Sequence, residues 1–325
     1  MRFFMKFSGV FTAITTPFSN GKIDEKAFGG SVKRQILSGA DGIVVGSTTG
    51  EGGFLTTDDK LLLLKTAASA KDALFSSQAA KRFSILAGVS GMKTETAVNE
   101  AKALTSLNRG IEVDGILVLS PYYQKCTELG AIKHFYAVAD ASEAPVIVYN
   151  VPGRTGYDLP VPAIKELIKH KNIVGIKEAS GDLNKIMEIT STAGDEFSVL
   201  CGSDELFLPE LSIGAAGCVS VLSNVAPKLV KAIYESYVSG ETVSAKALHL
   251  FSLPLIKALF SDVNPVPVKR ALSFIAGYSD EVTAPLTELA ADKKRALIKT
   301  LGEFIKKEPE LLGGRREILK SDSTE

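Results

Sequence analysis

From residue 9 onward, short uninterrupted apolar runs alternate with longer amphipathic stretches. Residues 9–16 (GVFTAITT) predict a strand closed by Pro17, and 23–37 a helix with Asp24 near its start and Ser38-Gly39 at its end. Residues 42–45 predict the next strand, followed by the loop 46–54 and a helix over about 58–71. The alternation continues with strand and helix pairs at 83–87 and 94–106, 113–119 and 128–141, and 144–149 and 161–169. Three more pairs fall at 173–177 and 182–193, 197–201 and 204–213, and 217–221 and 226–239. The strand segments are continuously apolar, as parallel strands covered on both faces require. Eight such units in series suit a closed (β/α)8 TIM barrel of the α/β class. A doubly wound open sheet fits less well: the first strand ends in Thr-Pro-Phe-Ser, which cannot form the Gly-x-Gly-x-x-Gly turn of a dinucleotide site.

After Gly240 the strand signals stop, and 243–259, 266–276 and 292–307 read as three helices. The expected organisation is a catalytic barrel over 1–239, a C-terminal all-helical unit over 240–307, and a charged, frayed tail over 308–325.

Composition narrows the chemistry. The 325 residues carry 37 Lys plus Arg against 37 Asp plus Glu, a formal net charge of zero that lacks the basic excess needed to hold a phosphate backbone. No nucleic-acid partner is expected. No apolar run approaches the roughly 20 residues that span a bilayer, so no membrane partner is expected either. The first residues, Met1-Arg-Phe-Phe-Met-Lys-Phe-Ser-Gly, read poorly as a signal peptide, and three cysteines without Cys-x-x-Cys spacing suit a reducing compartment. These features predict a cytoplasmic globular protein with Cys126, Cys201 and Cys218 as small buried thiols and no zinc site.

In a barrel the working groups sit at the C-terminal strand ends. Those ends here are Gly46-Ser-Thr-Thr-Gly-Glu51, Ser120-Pro-Tyr-Tyr123, the Tyr149–Gly156 loop, Lys177-Glu-Ala-Ser-Gly-Asp182 and Cys201-Gly-Ser-Asp204. Lys177 follows Asn-Ile-Val-Gly-Ile directly. A lysine at a strand end is commonly a snorkelling solvent group. Inside a barrel mouth, however, desolvation disfavours an ammonium and supplies the neutral amine that attacks a ketone. Carbinolamine, imine and enamine formation each move a proton, and the three histidines lie within or at the ends of predicted helices. Hydroxyls remain as shuttles: Tyr149, Tyr123, Thr48 and Thr49. Taken singly, each tyrosine reads equally as a half-buried aromatic with its hydroxyl in water. Arg154 offers a fork for a substrate carboxylate or for Asp158. Thr48-Thr49-Gly50 offers hydroxyls and backbone N–H groups for a small carboxylate.

Thr-Thr-Gly-Glu at 48–51, Pro-Tyr-Tyr at 121–123, Tyr-Asn-Val-Pro-Gly-Arg-Thr-Gly at 149–156, Gly-Ile-Lys-Glu-Ala at 175–179 and Asn-Pro-Val-Pro-Val-Lys at 264–269 occur in this order. In them the chain resembles the dihydrodipicolinate synthase / N-acetylneuraminate lyase family of Schiff-base aldolases, from about residue 9 to 289. The resemblance implies that Lys177 forms a covalent imine with pyruvate, with no metal or other cofactor, and that Tyr149 donates and accepts the proton above it. It implies Thr48 and Tyr123 as the other relay members, Tyr123 being supplied across a tight dimer interface of a homotetramer, a dimer of dimers. It further implies Thr49, Val219 and Gly202 as pyruvate contacts and Arg154 as the holder of the aldehyde's carboxylate. The implied reaction condenses pyruvate with L-aspartate semialdehyde in the diaminopimelate and lysine pathway. The alternative in the family is a sialic-acid or keto-deoxy sugar-acid lyase, which generally lacks the arginine of this loop. A non-catalytic keto-acid-binding barrel is disfavoured by the presence of all the expected groups. The sequence departs from the family at Ser47, where Gly is common, which bears on the local backbone and not on Thr48. Feedback-inhibited members bind lysine beside the Thr-Thr-Gly-Glu loop; the matching positions in 52–60 and at Met92 and Thr96 depart from that pattern, and only Tyr122 is kept. Lys60 would place a cation where a lysine ligand's ammonium approaches, which implies weak or absent inhibition by L-lysine.

Overall fold

A computed structural model describes residues 7–75, 83–106 and 113–312. The expectations for the N-terminal stretch at 1–6 and for the end of the tail at 313–325 fall outside the described residues. Strand β1 (Gly9–Ala13) leads past Pro17 into a two-stranded antiparallel hairpin, β2 (Phe18–Ser19) and β3 (Lys22–Ile23), before helix α1 (Glu25–Leu37). The hairpin is a correction to the helix expected from residue 23. Asp24 ends the strand by accepting from the Ala27 N–H, so α1 begins only after this N-cap.

The remaining units run β4 (Gly42–Val45), α2 (Thr57–Phe75), β5 (Ser84–Val89), α3 (Thr94–Thr105), β6 (Gly115–Leu119) and α4 (Glu128–Ala141). They continue through β7 (Val146–Asn150), the short α5 (Pro152–Thr155), α6 (Val161–Leu167), β8 (Ile173–Glu178) and α7 (Leu183–Thr192). The last are β9 (Ser198–Cys201), α8 (Phe207–Ser212), β10 (Gly217–Ser220) and α9 (Pro227–Val238). All eight apolar runs thus become strands, and they close into a parallel barrel in the order β1-β10-β9-β8-β7-β6-β5-β4. Closure brings β1 hard against β10: a Cβ on Gly217 would stand 2.0 Å from the Gly9 carbonyl oxygen, so only glycine fits that seam.

Inward side chains, among them Phe11, Val44, Leu86, Leu117, Ile147, Leu200 and Val219, fill the barrel. Outward ones join two cores beneath the surrounding helices. Helices α10 (Thr242–Leu259), α11 (Val266–Ala276) and α12 (Ala291–Leu311) follow, and Leu255, Leu259, Leu297 and Leu301 share one core with Val10, Cys201 and Cys218 of the barrel wall. The last helix runs beyond the expected 307, which corrects the tail at 308–311. The Leu312 N–H donates to the Glu308 carbonyl and its side chain packs against that same core, holding the extra turn in place. Cys201 and Cys218 are buried and Cys126 is only partly so. No helix among the described residues is long and apolar enough to cross a membrane.

One carboxyl in the outer core has no hydrogen-bond partner. Glu210 on α8 is 0 % exposed and neither oxygen is bonded. Burial pushes its pKa from 4.5 up to about 8, against the opposing pull of the neighbouring Cys201 thiol and with a lesser upward push from the charge of Glu178. The folded state therefore binds more protons than the unfolded chain between those two values, and stability falls as pH rises through the window. Glu210→Gln, which cannot ionise, is expected to melt with the parent near pH 5 and on the order of 5 °C above it at pH 8.5, read by calorimetry. Equal melting curves at both pH values would contradict the burial of an acid at this position.

Candidate active site

A cavity of about 390 Å³ opens at the C-terminal ends of the barrel strands. Gly46, Ser47 and Thr48 wall it after β4, Ser90 after β5 and Tyr122 after β6, with Tyr149, Val151 and Arg154 contributed by β7 and α5. Of the polar groups read from the sequence, Thr48, Tyr149 and Arg154 line this mouth, and Lys177, Thr49 and Tyr123 do not.

Lys177 reaches the barrel interior through a fault in the sheet. On β7, Val146 points outward and Ile147 inward. Ile173 pairs with Val146 but Gly175 pairs with Ile147, so one extra residue of β8, Val174, is taken up in a bulge. Without it the inward parity would fall on Val174 and Ile176, and Lys177 would face the helices. With it Lys177 pairs with Tyr149 and shares its inward face. The lysine is 4 % exposed, and its Nζ stands 4.2 Å from the centroid of the Tyr149 ring, which itself walls the cavity.

Outward neighbours lock this register. Asn150 and Glu178, paired across the same strands, are both buried, and the Asn150 amide donates to both Glu178 oxygens at 2.9 and 3.0 Å and to Asp158 at 2.8 Å. The Glu178 carboxylate also accepts the Ser180 N–H, and Lys185 forms an ion pair with Asp158. Asp158 is thus engaged elsewhere, and Arg154 instead donates to the Asn264 carbonyl at 3.3 Å. Of the two readings of Arg154, the ion pair with Asp158 does not form.

The other expected residues are placed as follows. Thr49 is buried and its hydroxyl accepts the Asn264 amide at 2.9 Å. Val219 is buried on β10. Gly202 follows β9, where a Cβ would stand 2.6 Å from that of Ala179. Asp204, two residues further on, shapes the β10 end: its buried carboxylate accepts the Val221 and Leu222 N–H groups at 3.0 and 2.8 Å. Burial pushes the Asp204 pKa up, opposed by those bonds and by the charge of Lys177. Tyr123 is not brought into its own chain's cavity: it is 81 % exposed, with a left-handed φ of 62°.

Sequence reasoning missed Asn264 as a site residue. It lies between α10 and α11, contacts both Thr49 and Arg154, and leaves its Oδ1 without a protein partner at the cavity wall. With Val263, Pro265 and Leu286 it brings the connections between the helices after the barrel into the cavity wall. Its motif, 264–269, was visible in the chain, but nothing in the sequence placed that segment over the barrel. Lys60 differs too. Its ammonium is 1 % exposed and ion-paired with Glu100, so it presents no free cation to a ligand, and the repulsion expected there has no basis in the fold.

The model of the dihydrodipicolinate synthetase family matches residues 6–304. A relative from Geobacter metallireducens, 4-hydroxy-tetrahydrodipicolinate synthase, is 38% identical over 298 residues, covering 92% of this chain and 99% of its own. The structure of the 4-hydroxy-tetrahydrodipicolinate synthase of Methylacidiphilum fumariolicum SolV superposes with a TM-score of 0.87 at 37% identity, covering 94% of this chain and 98% of that one. The dihydrodipicolinate synthase of Acinetobacter baumannii, solved in complex with pyruvate, gives a TM-score of 0.85 at 32% identity over 91% of this chain and 98% of that one. A shared barrel, a match along nearly the whole length and the ordered motifs at the strand ends lead to one assignment: the chain belongs to the dihydrodipicolinate synthetase family.

Proposed function

We propose that this protein condenses pyruvate with L-aspartate 4-semialdehyde to 4-hydroxy-tetrahydrodipicolinate, with Lys177 as the Schiff-base nucleophile. The observation that carries the reading is the pairing of Lys177 with Tyr149 on the inward face of the barrel, beside a cavity that also holds Thr48 and Arg154. The Lys177 amine attacks the ketone carbon of pyruvate, and the carbinolamine loses water to give the imine. Loss of a methyl proton yields an enamine, which bonds to the aldehyde carbon while the aldehyde oxygen takes up a proton. The substrate's own amino group then adds to the imine carbon, closes the ring and releases Lys177. The chemistry needs no metal, because the iminium is the electron sink.

Tyr149, Thr48 and Tyr123 are assigned to the proton relay, and Thr49, Val219 and Gly202 to pyruvate. The relay within one chain is incomplete because Tyr123 lies outside the cavity, held in a left-handed backbone conformation that a tyrosine rarely adopts. A second copy of the chain completes it, with the solvent-facing Phe54 and Met92 near the same mouth giving that contact apolar area. A tetramer built as a dimer of such dimers is the assembly we assign. Arg154 favours the semialdehyde over sugar acids, since its fork suits a carboxylate.

A coupled assay with pyruvate tests the reading, using aspartate semialdehyde beside N-acetylmannosamine and glyceraldehyde. Turnover with the semialdehyde is expected to dominate, and Arg154→Ala is expected to lower kcat/KM for it by about 100-fold, as for loss of a charge-assisted bond, while leaving the pyruvate KM nearly unchanged. Preference for either sugar-derived aldehyde would move the protein to the lyase reading.

A further inference from the structure

We propose that the buried Lys60–Glu100 pair is a positioning element that ties three active-site loops together and so sets the rate of the proton-transfer steps. The proposal rests on the functional reading above. Lys60 lies on α2 and Glu100 on α3, outside the strands, and both are buried. The Lys60 ammonium donates to Glu100, to the Gly88 carbonyl at 3.0 Å and to the Ser90 hydroxyl at 3.1 Å. The other Glu100 oxygen accepts the Ser90 and Gly91 N–H groups at 2.9 and 3.2 Å. The pair therefore fixes the end of β5 on both its carbonyl and its amide side.

From Ser90 the network reaches both flanking loops. Its hydroxyl donates to the Gly52 carbonyl at 3.2 Å, and its own carbonyl accepts the Tyr122 hydroxyl at 3.3 Å. Gly52 closes the turn that carries Thr48, its N–H donating to the Ser47 carbonyl at 2.9 Å. The Lys60 stem also backs that turn at its other end: a Cβ on Gly46 would lie 3.2–3.3 Å from Lys60 Cγ, Cδ and Cε. Thr48 and the Tyr122-Tyr123 segment, the two relay segments outside β7, thus hang on one buried ion pair.

Stability alone gives no reason for charges here. A buried pair and a neutral pair of the same shape are often close in folding free energy, because desolvation offsets the Coulomb gain. What the charges add is a set of short, directional bonds on loops that must hold a reacting geometry, where a shift of about 1 Å costs on the order of 100-fold in rate. Thr49 is held separately by Asn264, so the pyruvate-facing side of the turn keeps its anchor when the pair is lost.

That separation sets the test. The Lys60→Met/Glu100→Gln double variant keeps volume and removes both charges, and Ser90→Ala removes the hydroxyl link alone. Both are assayed beside the parent for kcat, for pyruvate KM and for the pyruvate adduct trapped by borohydride. The double variant is expected to lose about tenfold or more in kcat and Ser90→Ala about threefold, each with pyruvate KM within about twofold of the parent and the adduct retained. Should the double variant fail to fold, Ser90→Ala decides. Folded variants with parental kcat overturn the positioning role and leave the functional reading intact. A parent that forms no adduct sinks the functional reading, and this proposal with it.

Discussion

Lys177→Arg is expected to abolish turnover, lowering kcat by on the order of 10⁴-fold or more, while the protein still folds. The substitution keeps a long basic side chain and most of the stem. It removes the one property the reaction uses, since a guanidinium does not give up its proton to become a nucleophilic amine. The lysine also lies in a position no neighbour can replace. It is 4 % exposed, inward-facing and 4.2 Å from the Tyr149 ring centroid. The three other buried lysines among the described residues, Lys60, Lys185 and Lys269, are tied up in ion pairs with Glu100, Asp158 and Glu51. Incubation with pyruvate and borohydride followed by peptide mass mapping should place the parent's adduct on Lys177 and find none in the variant, with circular dichroism reporting the fold. An adduct that persists on another lysine, or residual activity within about tenfold of the parent, would remove Lys177 from its role. Tyr149→Phe is the milder companion. It keeps the ring against the amine and removes only the hydroxyl, so adduct formation should slow by about 10²–10³-fold rather than vanish.

How the chain reveals such a site is uneven, and the unevenness has physical causes. The barrel was legible because two-sided burial forces each parallel strand to be continuously apolar, and all eight runs show it. That Lys177 ends such a run was equally plain. Which way it points was not, because a period-two pattern cannot show the bulge at Val174 that reverses the parity of β8. The motif at 149–156 was visible, yet the four-residue helix α5 that presents Arg154 was not, being shorter than any helical periodicity. Lys60 shows the reverse error. Read by position it was a free cation, and only the packing of α2 against α3 supplies the carboxylate that neutralises it, forty residues away. Contacts of still longer range, such as Asn264 to Thr49 at a separation of 215 residues, lie beyond any local pattern.

The longest-range contact with a large expected effect is the pair between Lys269 on α11 and Glu51 in the turn after β4. Its N···O distance is 2.6 Å and the two side chains are 1 % and 0 % exposed. Glu51 holds a left-handed φ of 57°, bonds the Thr283 N–H through its other oxygen at 2.7 Å, and sends its own N–H to the Thr48 carbonyl at 3.1 Å. One carboxylate therefore staples the helices after the barrel to the turn that carries Thr48. Burial pulls the Lys269 pKa down and the Glu51 charge pulls it back up. Removing one partner leaves the other charge buried and alone, so Lys269→Met is expected to cost about 3–5 kcal/mol, a fall in melting temperature on the order of 10 °C. Lys269→Met/Glu51→Gln removes both charges and keeps an acceptor for Thr283, and should recover more than half of that loss. Urea or thermal unfolding of the parent, both single variants and the double variant gives the coupling energy directly. A single-variant cost below about 1 kcal/mol, or a double variant no better than Lys269→Met, would mean that apolar packing and not this pair holds the helices over the barrel mouth. Activity should separate from stability in the same set: because Gln restores folding without restoring the charged tether, the double variant should remain at least several-fold slower than the parent at a temperature where both are fully folded.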